Sequence, residues 1–146
     1  MSEQDTEARL RRLEDKDKIM ALLLEYRRAL DEKDFAAYAA LFAAEGEFIA
    51  GPMRATGPAA IQELVEGMLG TLLTAQAGND LHVVANPDIR LDGDRATAHT
   101  TWIYILRGED GGPDLAKVGH YDDVLVREGG AWRFLSRDAP MDMPLL

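Results

Sequence analysis

The sequence contains no cysteine, which excludes disulfides, thiolate nucleophiles and cysteine-ligated metals together. No apolar run approaches the ~20 residues that a membrane-spanning helix needs. Basic residues are outnumbered, 16 against 26 acidic ones, and the formal net charge is −10. Such a chain is repelled by phosphate backbones and anionic lipid, so no nucleic acid and no membrane is expected as a partner. The start, Met1 to Asp5, lacks the charged-then-apolar layout of a secretory leader. Glycine-rich phosphate loops and the G-x-S-x-G nucleophile turn are missing too. These absences predict a complete cytoplasmic protein.

What is present is enough apolar material for a core. Hydrophobic residues make up 47% of 146 positions, which supports one unstapled domain of ordinary size. No repeat, low-complexity stretch or Pro/Gly-rich linker divides the chain, so residues 1–146 read as a single domain.

Helical spacing dominates the first half. One helix is expected from roughly Glu7 to Glu32, with Leu13, Met20, Leu23, Leu24, Arg27 and Leu30 nearly in phase and Ile19, Leu22, Tyr26 and Ala29 widening the stripe. A second is expected from Asp34 to Ala43, capped by Asp34. A short strand follows at Glu47 to Ala50. Gly57-Pro58 opens a third helix, with Ile61, Leu64, Val65, Met68, Leu69 and Leu72 at helical intervals.

After Gly78-Asn79-Asp80 the pattern turns to strands: Leu81 to Leu91, Ala96 to Leu106, Ala116 to Arg127 and Trp132 to Arg137. Asn86-Pro87 marks an edge, kink or bulge in the first of these. Asp92-Gly93-Asp94 and Glu128-Gly129-Gly130 are tight-turn signals. Helices first and an antiparallel meander afterwards is an α+β layout, with two to three N-terminal helices covering a curved antiparallel sheet.

Several stretches together carry a resemblance. They are Tyr26-Arg27-Arg28-Ala29-Leu30-Asp31-Glu32-Lys33-Asp34-Phe35, Leu41-Phe42-Ala43, Gly57-Pro58-Ala59-Ala60-Ile61 and His82-Val83-Val84-Ala85-Asn86-Pro87. Asp92 to Ala96, Gly119-His120-Tyr121-Asp122-Asp123 and Val126 to Phe134 complete the set. Their order and spacing resemble the SnoaL-like branch of the nuclear transport factor two-like superfamily. That branch includes polyketide cyclases, scytalone dehydratase, the lindane dehydrochlorinase and bile acid dehydratases. The resemblance implies a cone-shaped α+β barrel around an internal pocket, and homodimers or homotrimers.

It also implies a catalytic pair. The dehydratase and dehydrochlorinase members carry an aspartate at the end of the first helix and a histidine in the strand after the helices. The matching positions here are Asp31 and His82. A histidine moves protons near neutral pH, and a carboxylate on its other nitrogen fixes the tautomer. Such a pair suits elimination, dehydration or isomerisation without metal or organic cofactor. The residues alone leave another reading open: a hydrogen-bonded rim histidine and a loop aspartate.

Tyr26 matches a family position that points into the cavity, or else it caps the core with a wet hydroxyl. On the period of two, His82, Val84 and Asn86 share a face. Trp102 and Tyr104 alternate with Ile103 and Ile105; the resemblance implies that the aromatic pair faces the pocket, and alternation alone leaves sheet packing against a partner subunit open. Tyr121 and Asp123 share a face with Gly119, while His120 and Asp122 take the other. Asp123 is either a second acid or base in the pocket or a structural partner of Arg133 or Arg137. The expected substrate-binding set is therefore Tyr26, Asn86, Trp102, Tyr104, Tyr121 and Asp123.

Departures narrow the chemistry. The position of the ketosteroid isomerase base falls near Ala50, which cannot act as one. Trp102 to Leu106 offers no second histidine of the scytalone dehydratase kind. A metal reading would use His82, His99 and His120 with Asp122, but the histidines lie on different strands with none of the short metal-ligand spacings, so no metal site is predicted. Two functions are compatible with the sequence. One is a cofactor-free lyase or isomerase acting on a small apolar cyclic compound. The other is a non-catalytic ligand-binding or assembly protein resembling the small subunit of ring-hydroxylating oxygenases.

Overall fold

Ser2 starts the first helix. Its hydroxyl accepts from the Asp5 N–H, and the Asp5 carboxylate accepts from the Ser2 N–H, a reciprocal capping box. The computed structural model describes residues 1–70 and 78–144. Helix α1 (Glu3–Asp31) begins four residues earlier than the spacing suggests, because this cap and not an apolar residue sets its start. Residues 1–14 are all exposed. The buried stripe runs through Ile19, Leu22, Leu23, Tyr26, Ala29 and Leu30. Leu13 and Leu24, expected on that stripe, lie outside it at 65% and 47% exposure.

The end of α1 is a Schellman turn. The Asp34 N–H donates to the Ala29 carbonyl at 2.8 Å, and the Lys33 N–H to the Leu30 carbonyl at 3.3 Å. Lys33 occupies the left-handed position at φ 61°, which glycine usually takes. Its side chain explains the choice: the ammonium reaches the buried Asp80 carboxylate at 2.7 and 2.8 Å.

Helix α2 (Phe35–Ala40) is capped by Asp34, whose carboxylate accepts from the Ala37 N–H. It is shorter than expected, since Phe42 and Ala43 already belong to strand β1 (Phe42–Ala50). Strand β2 (Met53–Thr56) turns back on β1 after Gly51 at φ 60°. Helix α3 (Pro58–Leu69) has proline in its first turn and buries Ile61 and Val65. The expectation for Leu72 lies outside the described residues. Strands β3 (Asp80–Asp92), β4 (Arg95–Arg107), β5 (Pro113–Glu128), β6 (Ala131–Asp138) and β7 (Met141–Met143) follow.

The strands form one curved, unclosed sheet of order β2-β1-β6-β5-β4-β3, with β7 beside β5. The sheet is mixed, where a wholly antiparallel one was expected: β1 and β6 run parallel, with Phe42 opposite Phe134 and Phe48 opposite Arg137. The long connection between them removes the hairpin constraint that forces antiparallel pairing. Strand β7 takes the edge of β5 at Val118 and Gly119, before the β5–β6 ladder begins at Asp122.

The helices cover one face of this sheet. Ile19, Leu23 and Tyr26 of α1 meet Trp102, Tyr121, Leu125 and Phe134, while Tyr38, Phe42, Phe48, Ile61 and Val65 extend the same cluster. Among the described residues no helix is long and apolar enough to cross a membrane.

Candidate active site

The Schellman turn aims the last residue of α1 at the first residues of edge strand β3. Asp31 is buried. One carboxylate oxygen accepts from the His82 main-chain N–H at 3.0 Å and lies 2.8 Å from His82 Nδ1; the other lies 3.1 Å from the same N–H. A carboxylate only accepts, so Nδ1 is the donor, and in the neutral tautomer this leaves Nε2 as the ring's acceptor. Arg27, one turn back, approaches the second oxygen at 3.4 Å. The side chains of His82 and Asp31 are 15% and 10% exposed, so both groups are largely sheltered from water.

The imidazole is held from the side as well. Tyr104 stacks on it with ring centroids 4.6 Å apart and planes at 28°. Trp102 meets its edge at 6.3 Å. Tyr104 in turn donates to Asp80 at 2.5 Å, and Asp80 holds Lys33. Helix end, edge strand and β4 are thus tied around one ring. A surface cleft of about 270 Å³, lined by Asn79, Asp80, Leu81, Leu106, Arg107 and Pro113 among others, adjoins this group.

Behind the pair the interior is filled. Arg137, fully buried, places its guanidinium 4.0 Å from the Tyr26 ring centroid, 3.6 Å from Tyr121 and 4.4 Å from Phe134. It donates to both Asp123 oxygens, at 2.9 and 3.2 Å. Burial pushes the Asp123 carboxyl up to about 6, with Arg137 pulling the other way. Burial also works against the Arg137 charge, yet Asp123 and the tyrosines outweigh it and raise that group. Of the two roles open to Asp123 in sequence, the structure shows the ion pair with Arg137.

The remaining expected residues divide. Trp102 and Tyr104 do turn to the covered face, and Trp102 lies over Gly119 while donating to the His120 carbonyl at 3.0 Å. Tyr26 is 2% exposed and its hydroxyl bonds Tyr38, so it does not open onto a pocket. Burial raises Tyr26 and Tyr121 well above the usual phenol range, which keeps both neutral. Tyr121 has no hydrogen-bond partner among the described residues, and the Asp31 charge reaches it. Among the described residues, the buried hydroxyl of Thr100, opposite Tyr121 on β4, and one terminal nitrogen of Arg137 also find no partner.

Asn86 departs from expectation. The ladder between β3 and β4 slips between Ala85 and Asp88, and Asn86 takes a left-handed φ of 55°. This bulge breaks the alternation that linked it to His82, and leaves it exposed. Arg137 as a core cation was missed for a related reason. Trp132 and Phe134 face inward, so strict alternation turns Ser136 inward and Arg137 outward. The β5–β6 ladder slips between Val124 and Leu125 and reverses that phase.

A search of curated proteins finds no sequence match. Similar solved structures include a nuclear transport factor two-like protein with a cystatin-like fold from Novosphingobium aromaticivorans, 26% identical, covering 99% of this chain and 92% of that one at a TM-score of 0.87. A candidate scytalone dehydratase from the same organism is 27% identical over 90% of this chain and 87% of its own, with a TM-score of 0.76. The β subunit of a candidate aromatic-ring-hydroxylating dioxygenase, again from that organism, shares the fold at 17% identity, 89% and 90% coverage and a TM-score of 0.73. The SnoaL-like domain matches residues 11–138. That match runs from the exposed half of α1 to the end of β6, and the chain belongs to the SnoaL-like family.

Proposed function

We propose that the protein is a cofactor-independent lyase or isomerase that moves a proton on a small, mainly apolar cyclic substrate. His82 Nε2 takes the proton from a carbon next to a carbonyl, or returns one to a leaving oxygen. Asp31 orients the ring and steadies the imidazolium as it forms. Trp102 and Tyr104 offer the apolar walls. The observation that carries this reading is the 2.8 Å contact of Asp31 with Nδ1, which leaves Nε2 with no hydrogen bond among the described residues. The likeness to a candidate scytalone dehydratase supports dehydration within that class. A homodimer or homotrimer is proposed from the family resemblance.

The test needs no natural substrate. Cyclic ketones and β-hydroxyketones are incubated with the protein in deuterated water, and exchange at the α-carbon is followed by NMR. Wild type accelerates exchange on some of them, and His82→Ala lowers that rate by about 100-fold or more. Exchange that survives the substitution refutes the assignment.

A second reading rests on the filled interior, where Arg137 occupies space that a substrate would otherwise enter. On that reading the chain is a binding or assembly subunit. It expects no exchange on any ketone by wild type, and a stable complex with a larger partner subunit.

A further inference from the structure

The outer face of the sheet holds a group of side chains that the dyad does not use. His99 on β4 sits directly opposite Asp122 on β5, and His120 precedes Asp122 by two residues, so all three share that face. Spacing along the chain could not reveal this, because the cross-strand register makes the meeting.

The two oxygens of Asp122 face two different imidazoles. One lies 2.7 Å from His99 Nδ1, and the other 3.3 Å from His120 Nε2. The rings themselves lie 5.0 Å apart and tilted by 31°. One ligating atom from each residue fits within 4.8 Å of the others. Around a tetrahedral zinc with bonds of about 2.1 Å, ligand atoms stand about 3.4 Å apart. Side-chain rotation of about an ångström therefore closes the set.

The second nitrogen of His120 is already committed. Nδ1 lies 2.8 Å from the Asp142 carboxylate on β7, which directs Nε2 toward Asp122. A carboxylate behind a ligating histidine is the support such ligands usually have. His99 and Asp122 are 55% and 57% exposed and His120 25%, leaving room for coordinated water. Asp138 lines the adjoining cleft with His99 and Asp122 and adds negative charge that favours a cation, while Asp88 there is paired with Arg90 at 3.2 Å.

We propose that His99, His120 and Asp122 bind one divalent ion of the zinc class on the outer face of the sheet, with Asp142 orienting His120. Two imidazoles and one carboxylate suit zinc over calcium or magnesium, which prefer oxygen alone. The site is separate from the Asp31–His82 pair, which belongs to the covered face.

The test uses the full chain without an affinity tag, stripped with chelator and then titrated with zinc by calorimetry. The expected result is one ion per chain with a Kd on the order of micromolar or tighter. His99→Ala and Asp122→Asn each weaken binding by at least about tenfold, and Asp142→Asn weakens it about tenfold through His120. His82→Gln leaves it unchanged. Circular dichroism of each variant checks folding, which these exposed side chains do not determine. Absence of saturable binding by wild type overturns the proposal. So does full binding by the His99→Ala, Asp122→Asn double variant, which assigns the ion to scattered surface carboxylates.

Discussion

At the scale of single residues, Arg137 is the least expected group in the molecule. A guanidinium between two phenol rings and a phenylalanine, with one carboxylate for company, replaces the apolar plug that a core would normally hold. Removing one member of a buried pair strands the other, at a cost of about 3–5 kcal/mol. Arg137→Met is therefore expected to lose stability in that range in urea denaturation. Adding Asp123→Leu to it is expected to recover most of the loss, because neither charge then remains. A double variant no more stable than the single would show that packing, not charge, sets the cost. Of the candidate residues, the Asp31–His82 contact was legible only through the family resemblance, since the residues alone left a rim histidine and a loop aspartate equally open. Asp123 was legible in part, since Arg137 on the neighbouring strand stood as one of its two readings; Tyr26 and Asn86 were not, since each depended on a side-chain partner or a strand phase that local spacing does not encode.

At the scale of elements, periodicity located the three described helices, strands β3 to β6 and the second half of β1. It failed where pairing is non-local. Phe42 and Ala43 read as the end of a helix, and only their place beside β6 makes them strand. Strand β2 is four mostly exposed residues and β7 is three, too short for alternation to register. The meeting of β4 and β5 offers a test at this scale. Gly119 pairs with Trp102, and a Cβ there would run into the indole ring and the Pro140 carbonyl. Gly119→Ala is expected to destabilise by about 2–3 kcal/mol through overpacking, with altered tryptophan fluorescence as the indole is pushed aside. Wild-type stability and an unchanged emission spectrum would contradict this packing.

At the scale of the whole molecule, the first half of α1 stands apart from the core. Residues 1–14 are exposed without exception, so about 18 Å of helix projects past the body at the standard rise per residue. The first residue to engage the core is Asp15, which accepts from Arg127 and from the Trp132 indole. Hydrogen bonding from Arg127 holds its carboxyl below the usual range against the effect of burial. Deleting residues 1–12 is thus expected to change the unfolding free energy by less than about 0.5 kcal/mol. A larger loss would mean that the projecting segment is covered in solution by another molecule.

A single carboxylate, Asp31, fastens both the main chain of an edge strand and the imidazole that strand carries. On the proposed function, catalysis and structural anchorage are therefore inseparable at that position, though not at His82. In a random library, clones altered at Asp31 would vanish from the soluble fraction as well as from any turnover screen. Yield per clone, set beside rate per clone, is the comparison that would keep the two losses from being mistaken for one.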